Sequence, residues 1–107
     1  MSAKNKITAS LDRAAASLQL HPQREPTAML NEALRLLSHA PHDVREAVRD
    51  GDLSLACKRL MNGYMFFGKA VAYAEVLGDE GGTARASFLI RGLRVAEDEY
   101  HRARSKS

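Results

Sequence analysis

The residues best suited to chemistry are histidines with carboxylates close by in the sequence. His39 and His42 flank Pro41, and Asp43 follows at once, so two imidazoles and a carboxylate are close neighbours. Imidazole and carboxylate are zinc ligands, but a zinc site usually needs three or four of them. No cysteine pairs accompany this group. We therefore expect loop and capping roles here, and no metal or other cofactor.

A second candidate group lies near the end of the chain, where Asp98 and His101 are three residues apart. Carboxylate and histidine at this spacing recur in di-iron helical bundles, where two such pairs face each other. The chain has only one pair, so a solvated helix end is expected. The single cysteine, Cys57, cannot form an internal disulfide and is predicted to be a small buried residue. No catalytic residue is assigned.

Arg94 and His101 have six residues between them near the end of the chain. An arginine and a histidine at this spacing resemble the short motif of HEPN-type ribonucleases, which are small helical bundles. The resemblance implies RNA cleavage, often across a dimer, with these two residues in the motif. Val95 stands where that family commonly has a polar residue.

Helices must position all of these groups, because apolar residues recur every three or four positions along the chain. A first helix is predicted over residues 3–20, and Pro22 favours its end. A second is predicted over residues 27–39, with Pro41 interrupting it. The first stripe contains Ile7, Leu11, Ala14 and Leu18, and the second contains Leu30, Ala33, Leu34 and Leu37.

Further helices are predicted from capping residues. Asp43 and Glu46 match a capping box, which predicts a short third helix ending at Gly51. Asp52 is a good N-cap for the longest helix, residues 52–78, which Gly78 can end in the left-handed conformation. After a glycine-rich turn, Thr83 is predicted to cap a last helix over residues 83–104.

These elements predict an all-α fold, a four- or five-helix bundle with a long C-terminal antiparallel helical hairpin. The length suits one domain. We divide it into short N-terminal helices in residues 1–51, the hairpin in residues 52–104 and a tail in residues 105–107.

Large apolar side chains remain on the sides of the last two helices that face away from their main stripes. Such residues beside arginine are favoured at protein contacts. One alternative is that the N-terminal helices cover them, and the other is that they form a partner surface. The predicted partner-binding residues are Met65, Phe66, Tyr73, Phe88, Arg91 and Val95. The leading prediction is a non-enzymatic regulator or adaptor that acts through protein contacts and forms a homodimer.

Residues 34–60 carry a second pattern, made of Leu34, Arg35, Leu36, Leu37, Pro41, Val44, Val48, Gly51, Leu53, Ser54 and Arg59. This pattern resembles a segment in the helical DNA-binding domain of ParB-type partition proteins. The resemblance implies a helix-turn-helix that begins upstream of residue 34. The residues that would then face DNA are Gln23, Arg24, Thr27, Asn31 and Arg35.

The composition of the chain limits the classes of protein and of partner that remain. The chain has 45% hydrophobic and 27% charged residues, which is ordinary for a globular protein. Its net charge of +3 permits a nucleic-acid or acidic partner, but both signs are mostly interspersed. Polar residues such as Lys58 and Lys69 interrupt the apolar stretches, so no membrane span is predicted. The single cysteine and the lack of a signal-like N-terminus favour the cytoplasm.

Overall fold

The computed structural model describes residues 25–106 of the 107-residue chain, and within that range it contains helices and no strand. The three helices are α1, Pro26–Arg49, α2, Leu53–Leu77, and α3, Glu80–Lys106. The predicted all-α class is confirmed. The helix predicted over residues 3–20 lies outside the described residues, which therefore show three helices rather than four or five.

Helix α1 begins at Glu25, whose carboxylate caps it. Glu25 has an extended backbone, and its side chain accepts hydrogen bonds from the N–H groups of Thr27 and Ala28 at 3.0 and 2.9 Å. These bonds stabilise the ionised form and hold the pKa of Glu25 below its ordinary value. Pro26 occupies the first helical position, where its missing N–H costs nothing.

The predicted break at Pro41 is wrong, because α1 runs through it without interruption. An internal proline removes one helical hydrogen bond and costs about 3 kcal/mol. The residues around it offset that cost, since Leu37, Ala40 and Val44 are all buried in the core. The proline ring also packs at the backbone of Gly92 in α3, where an added Cβ would lie 3.5 Å from Pro41 Cγ.

The predicted capping box at Asp43 and Glu46 is also wrong, because both residues lie inside α1. They bind α2 instead. Arg59 Nη1 donates to the Asp43 carbonyl at 2.9 Å and to Glu46 Oε1 at 3.3 Å. Because the helix is continuous here, the Glu46 side chain is not needed as a cap and can contact Arg59 of α2.

The two ends of α2 are as predicted. Asp52 Oδ1 accepts a hydrogen bond from the Leu55 N–H at 3.0 Å, and Gly78 ends the helix with a φ of +66°. The predicted cap at Thr83 is wrong. Asp79 caps α3 instead, since its Oδ1 accepts from the Gly82 N–H at 2.9 Å and its carbonyl from the Thr83 N–H at 3.2 Å. The chain thus reverses within two residues.

Contacts between the helices give their directions. Arg59 of α2 meets Glu46, and further along α2 Gly63 meets Ala40, so α2 is antiparallel to α1. The α2–α3 contacts, Tyr64 with Glu97 and Ala74 with Gly82, show that this pair is antiparallel too. Helices α1 and α3 are therefore parallel. The three helices form a bundle. Helix α2 packs more extensively on α1 than on α3.

The core runs along the middle of the bundle and is rich in small residues. Alanines alternate with larger side chains, so the helices can approach closely. The largest fully buried side chains are Tyr73, Leu37, Leu93 and Val44. The closest approach is at Gly63, where an added Cβ would lie 2.7 Å from Leu93 Cδ2 and 3.0 Å from Ala40 Cβ.

Replacing Gly63→Ala should therefore destabilise the protein by about 1–3 kcal/mol, the usual cost of overpacking a core. Gly68→Ala, five residues along the same helix, is the matched control, since an added Cβ there has no neighbour within 4 Å. It should stabilise by roughly 0.5–1 kcal/mol through helix propensity alone. Urea unfolding measures both, and equal stabilisation by the two changes would show that the Gly63 contact is loose.

Candidate functional site

The side of α3 that faces away from the core carries a regular line of exposed residues. Their spacing alternates between four and three, which keeps them on one face of the helix. We call this line the α3 strip, and its members are Ala84, Phe88, Arg91, Val95, Asp98 and Arg102. Phe88 is 67% exposed and Val95 is 49% exposed, and both are large apolar side chains. Ala86, Ile90 and Leu93 fill the core from the opposite side of the helix.

The predicted partner-binding residues on α2 have different surroundings. Met65 is 45% exposed. Met61, one turn earlier, is more exposed, and sequence reasoning missed it although it precedes Met65 by four residues. Phe66 is half-buried between α1 and α2. Tyr73 is fully buried, so its prediction as a surface residue is wrong, because α1 packs along that side of α2.

The predicted residues do not form one patch. Phe88 and Val95 each precede by four residues a position that contacts α1, namely Gly92 against Pro41 and Glu99 against Arg45. They therefore lie along the edge of α3 nearest α1. Phe66 lies in the other groove, between α1 and α2. The α3 strip is therefore a surface separate from Phe66.

The groove between α1 and α3 collects the predicted DNA-binding residues. Asn31 and Arg35 line a cavity of about 530 Å³ together with Arg85 of α3. Asp79 lines it too, with one carboxylate oxygen accepting from the Gly82 N–H. Sequence reasoning missed Arg85, because only the parallel packing of α1 and α3 brings it beside Arg35.

Of the three other predicted DNA-binding residues, the structure describes only Thr27. Thr27 is exposed in the first turn of α1, where its N–H binds the cap. Arg24 and Gln23 lie outside the described residues.

The groove between α1 and α2 is more apolar. Met29, Leu36 and Phe66 line a cavity of about 210 Å³, with buried Tyr73 beside them and Glu32 and Lys69 at the edge. We call this the α1–α2 groove.

Arg94 and His101 lie on the side of α3 that faces α2, with Glu97 between them. Tyr64 Oη donates to Glu97 Oε1 at 2.5 Å, and His101 Nε2 lies 3.7 Å from Glu97 Oε2. Burial and the Glu97 carboxylate raise the pKa of Tyr64 to about 12, against a smaller opposite effect of Arg94. Tyr64 therefore stays protonated at neutral pH and acts as a hydrogen-bond donor. Ribonuclease activity stays a prediction.

The remaining candidate groups are dispersed. His42 Nε2 lies 3.7 Å from Glu46 Oε2, and His39 is exposed. Within residues 25–106, no group of three or more potential ligands could hold a metal ion. Cys57 is half-buried, and its hydrogen bond with Tyr100 raises the pKa of that tyrosine. None of the three helices is both long and apolar enough to cross a membrane.

Comparison with protein-family models finds no match, and no curated protein or solved structure is significantly similar to the chain. The ParB-like and HEPN-like interpretations therefore stay predictions.

The pKa of Tyr64 gives a testable pH dependence. The unfolded chain releases this proton near pH 10, whereas the folded protein keeps it to about pH 12. The resulting stabilisation is complete below pH 10 and is lost as the pH rises through about 12. In thermal unfolding over this range, Tyr64→Phe should lose less stability than the wild type. Parallel losses in the two proteins would contradict the proposed role of the Tyr64–Glu97 contact.

Proposed function

We propose that this protein is a small non-enzymatic adaptor or regulator of the cytoplasm, which acts as a homodimer through the α3 strip. The observation that carries this proposal is the exposure of Phe88, which is aligned with Arg91 and Val95 on one helix face. Burying a side chain of this kind contributes about 1.5–3 kcal/mol, so an interface is a favourable place for it. Aromatic residues and arginine are also enriched where binding energy concentrates.

The strip suits a second copy of the same chain. Alternating steps of four and three are the spacing by which helices pair side by side in coiled coils. A two-fold interface must be self-complementary, and the strip carries both signs of charge in Arg91 and Asp98. Antiparallel pairing of two strips brings Arg91 of one copy near Asp98 of the other.

The mass in solution tests this proposal. Sedimentation at several concentrations should show a dimer for the wild type. Phe88→Ser combined with Val95→Ser should weaken dimerisation at least tenfold, which is about 1.4 kcal/mol. Met61→Ser combined with Met65→Ser is the matched control, because it removes two exposed apolar residues from α2 instead. The control should remain dimeric.

A charge exchange tests the pairing itself. Arg91→Asp should weaken the dimer through like-charge repulsion, and adding Asp98→Arg should restore it. A wild type that is monomeric at every concentration would overturn the homodimer. If only the variant with Met61→Ser and Met65→Ser dissociates into monomers, the interface lies on α2.

Nucleic-acid binding is the second candidate, and it is favoured by the cavity that Asn31, Arg35 and Arg85 share. Neither arginine has an ion-pair partner among residues 25–106. Both are therefore available to phosphate. The parallel helices α1 and α3 also begin at this end of the bundle, so their positive dipole ends lie near the cavity.

Salt dependence of duplex binding tests the second candidate. Each lost phosphate contact lowers the slope of log K against log salt by about 0.9, so Arg35→Ala with Arg85→Ala should lower it by about 1.8. Arg91→Ala, on the α3 strip, is the control and should change the slope little. A double variant that binds like the wild type would exclude this groove.

A further inference from the structure

The α1–α2 groove is a concave apolar surface beside the start of the described chain. Met29, Leu36 and Phe66 are only half-buried in it, although Met29 and Phe66 pack on the core. Met29 lies one turn after the cap residue Glu25, and its N–H donates to the Glu25 carbonyl at 3.1 Å. A segment that precedes residue 25 therefore joins the described chain at the end of this groove.

The preceding segment has the length and pattern to fill the groove. Its sequence predicts a helix over residues 3–20, with Ile7, Leu11 and Leu18 on one stripe. Such a helix would be about 27 Å long. The connection over residues 21–25 can extend to about 16 Å. It can therefore cross the roughly 8–10 Å between packed helices and reverse the chain direction.

Charge favours this groove over the one between α1 and α3. The segment is basic, because Lys4, Lys6, Arg13 and Arg24 outnumber its one acidic residue, Asp12. The α1–α2 groove is lined by one acidic residue, Glu32, and one basic residue, Lys69, so its lining has no net charge. The other groove is lined by Arg35, Arg85 and one acidic residue, Asp79, and this net positive charge disfavours a basic segment.

We propose that residues 3–20 form a helix that packs in the α1–α2 groove, with Leu11 and Leu18 against Met29, Leu36 and Phe66. The contact is intramolecular and the linker is short, so its effective concentration is high and favours it over a second copy. The bundle then has four helices. Phe66 belongs to the protein's own interior, and the α3 strip stays free for a partner.

A fluorescence experiment tests this on the full chain, which has no tryptophan. Phe66→Trp installs a single reporter in the groove, and its emission should be blue-shifted and protected from acrylamide. Adding Leu11→Glu and Leu18→Glu should shift the emission to the red and raise the quenching constant several-fold. Circular dichroism checks that α1–α3 stay folded, and serine replaces glutamate at both positions if they do not.

Two matched controls accompany it. Ala9→Glu with Ala16→Glu adds the same charge at the same seven-residue spacing, but on the opposite side of the predicted helix, and should leave the emission unchanged. Phe88→Trp reports on the α3 strip and should not respond to the changes at Leu11 and Leu18.

The proposal is overturned if the Phe66→Trp reporter is quenched freely in the otherwise wild-type chain, or if the Leu11 and Leu18 changes leave it protected. Protection that disappears on dilution would show that a second copy covers the groove instead. A response of the Phe88→Trp reporter to those changes would place the segment on α3.

Discussion

The close crossing of all three helices at Gly63 is the contact on which the rest of the structure depends. At this point α2 meets Ala40 of α1 and Leu93 of α3 with no room for another carbon atom. Close approach lets the short side chains of the buried alanines on all three helices fill the core. A wider spacing would leave cavities beside each alanine, so the small residues are useful only because the helices are near.

The same crossing determines which residues remain outside. Helices α1 and α2 pack on each other more extensively than either packs on α3, and on α2 Met61 and Met65 stay exposed. Helix α3 buries less of its own surface, because α1 and α2 contact only one side of it. The α3 strip is the part that is left. Its apolar character is therefore not explained by the packing of the described helices.

Parallel packing of α1 and α3 creates the two chemically different grooves. Arg35 and Arg85 are far apart in sequence and share a cavity only because both helices begin at the same end of the bundle. On the other side of α1, the antiparallel α2 presents Phe66 and Lys69 to Met29 and Leu36. The lining of one groove thus carries two arginines, whereas the lining of the other is mainly apolar.

Local sequence features determined the helical class and several helix ends. Helical periodicity identified the buried faces, Asp52 predicted the start of α2, and Gly78 predicted its end. These features act over a few residues, through one hydrogen bond or one backbone conformation, so they can be recognised in the sequence itself. The exposure of Phe88, Arg91 and Val95 followed from the same periodicity.

Tertiary structure alone decided the rest. Pro41 breaks a helix in isolation, but burial of the residues on both sides of it keeps α1 continuous. Tyr73 lies off the main stripe of α2, and only the position of α1 determines that it is buried. The cavity that Arg35 and Arg85 both line, and the hydrogen bond between Tyr64 and Glu97, likewise depend on how the helices are arranged. Such contacts join residues far apart in sequence, and their free energy exists only once the bundle has formed.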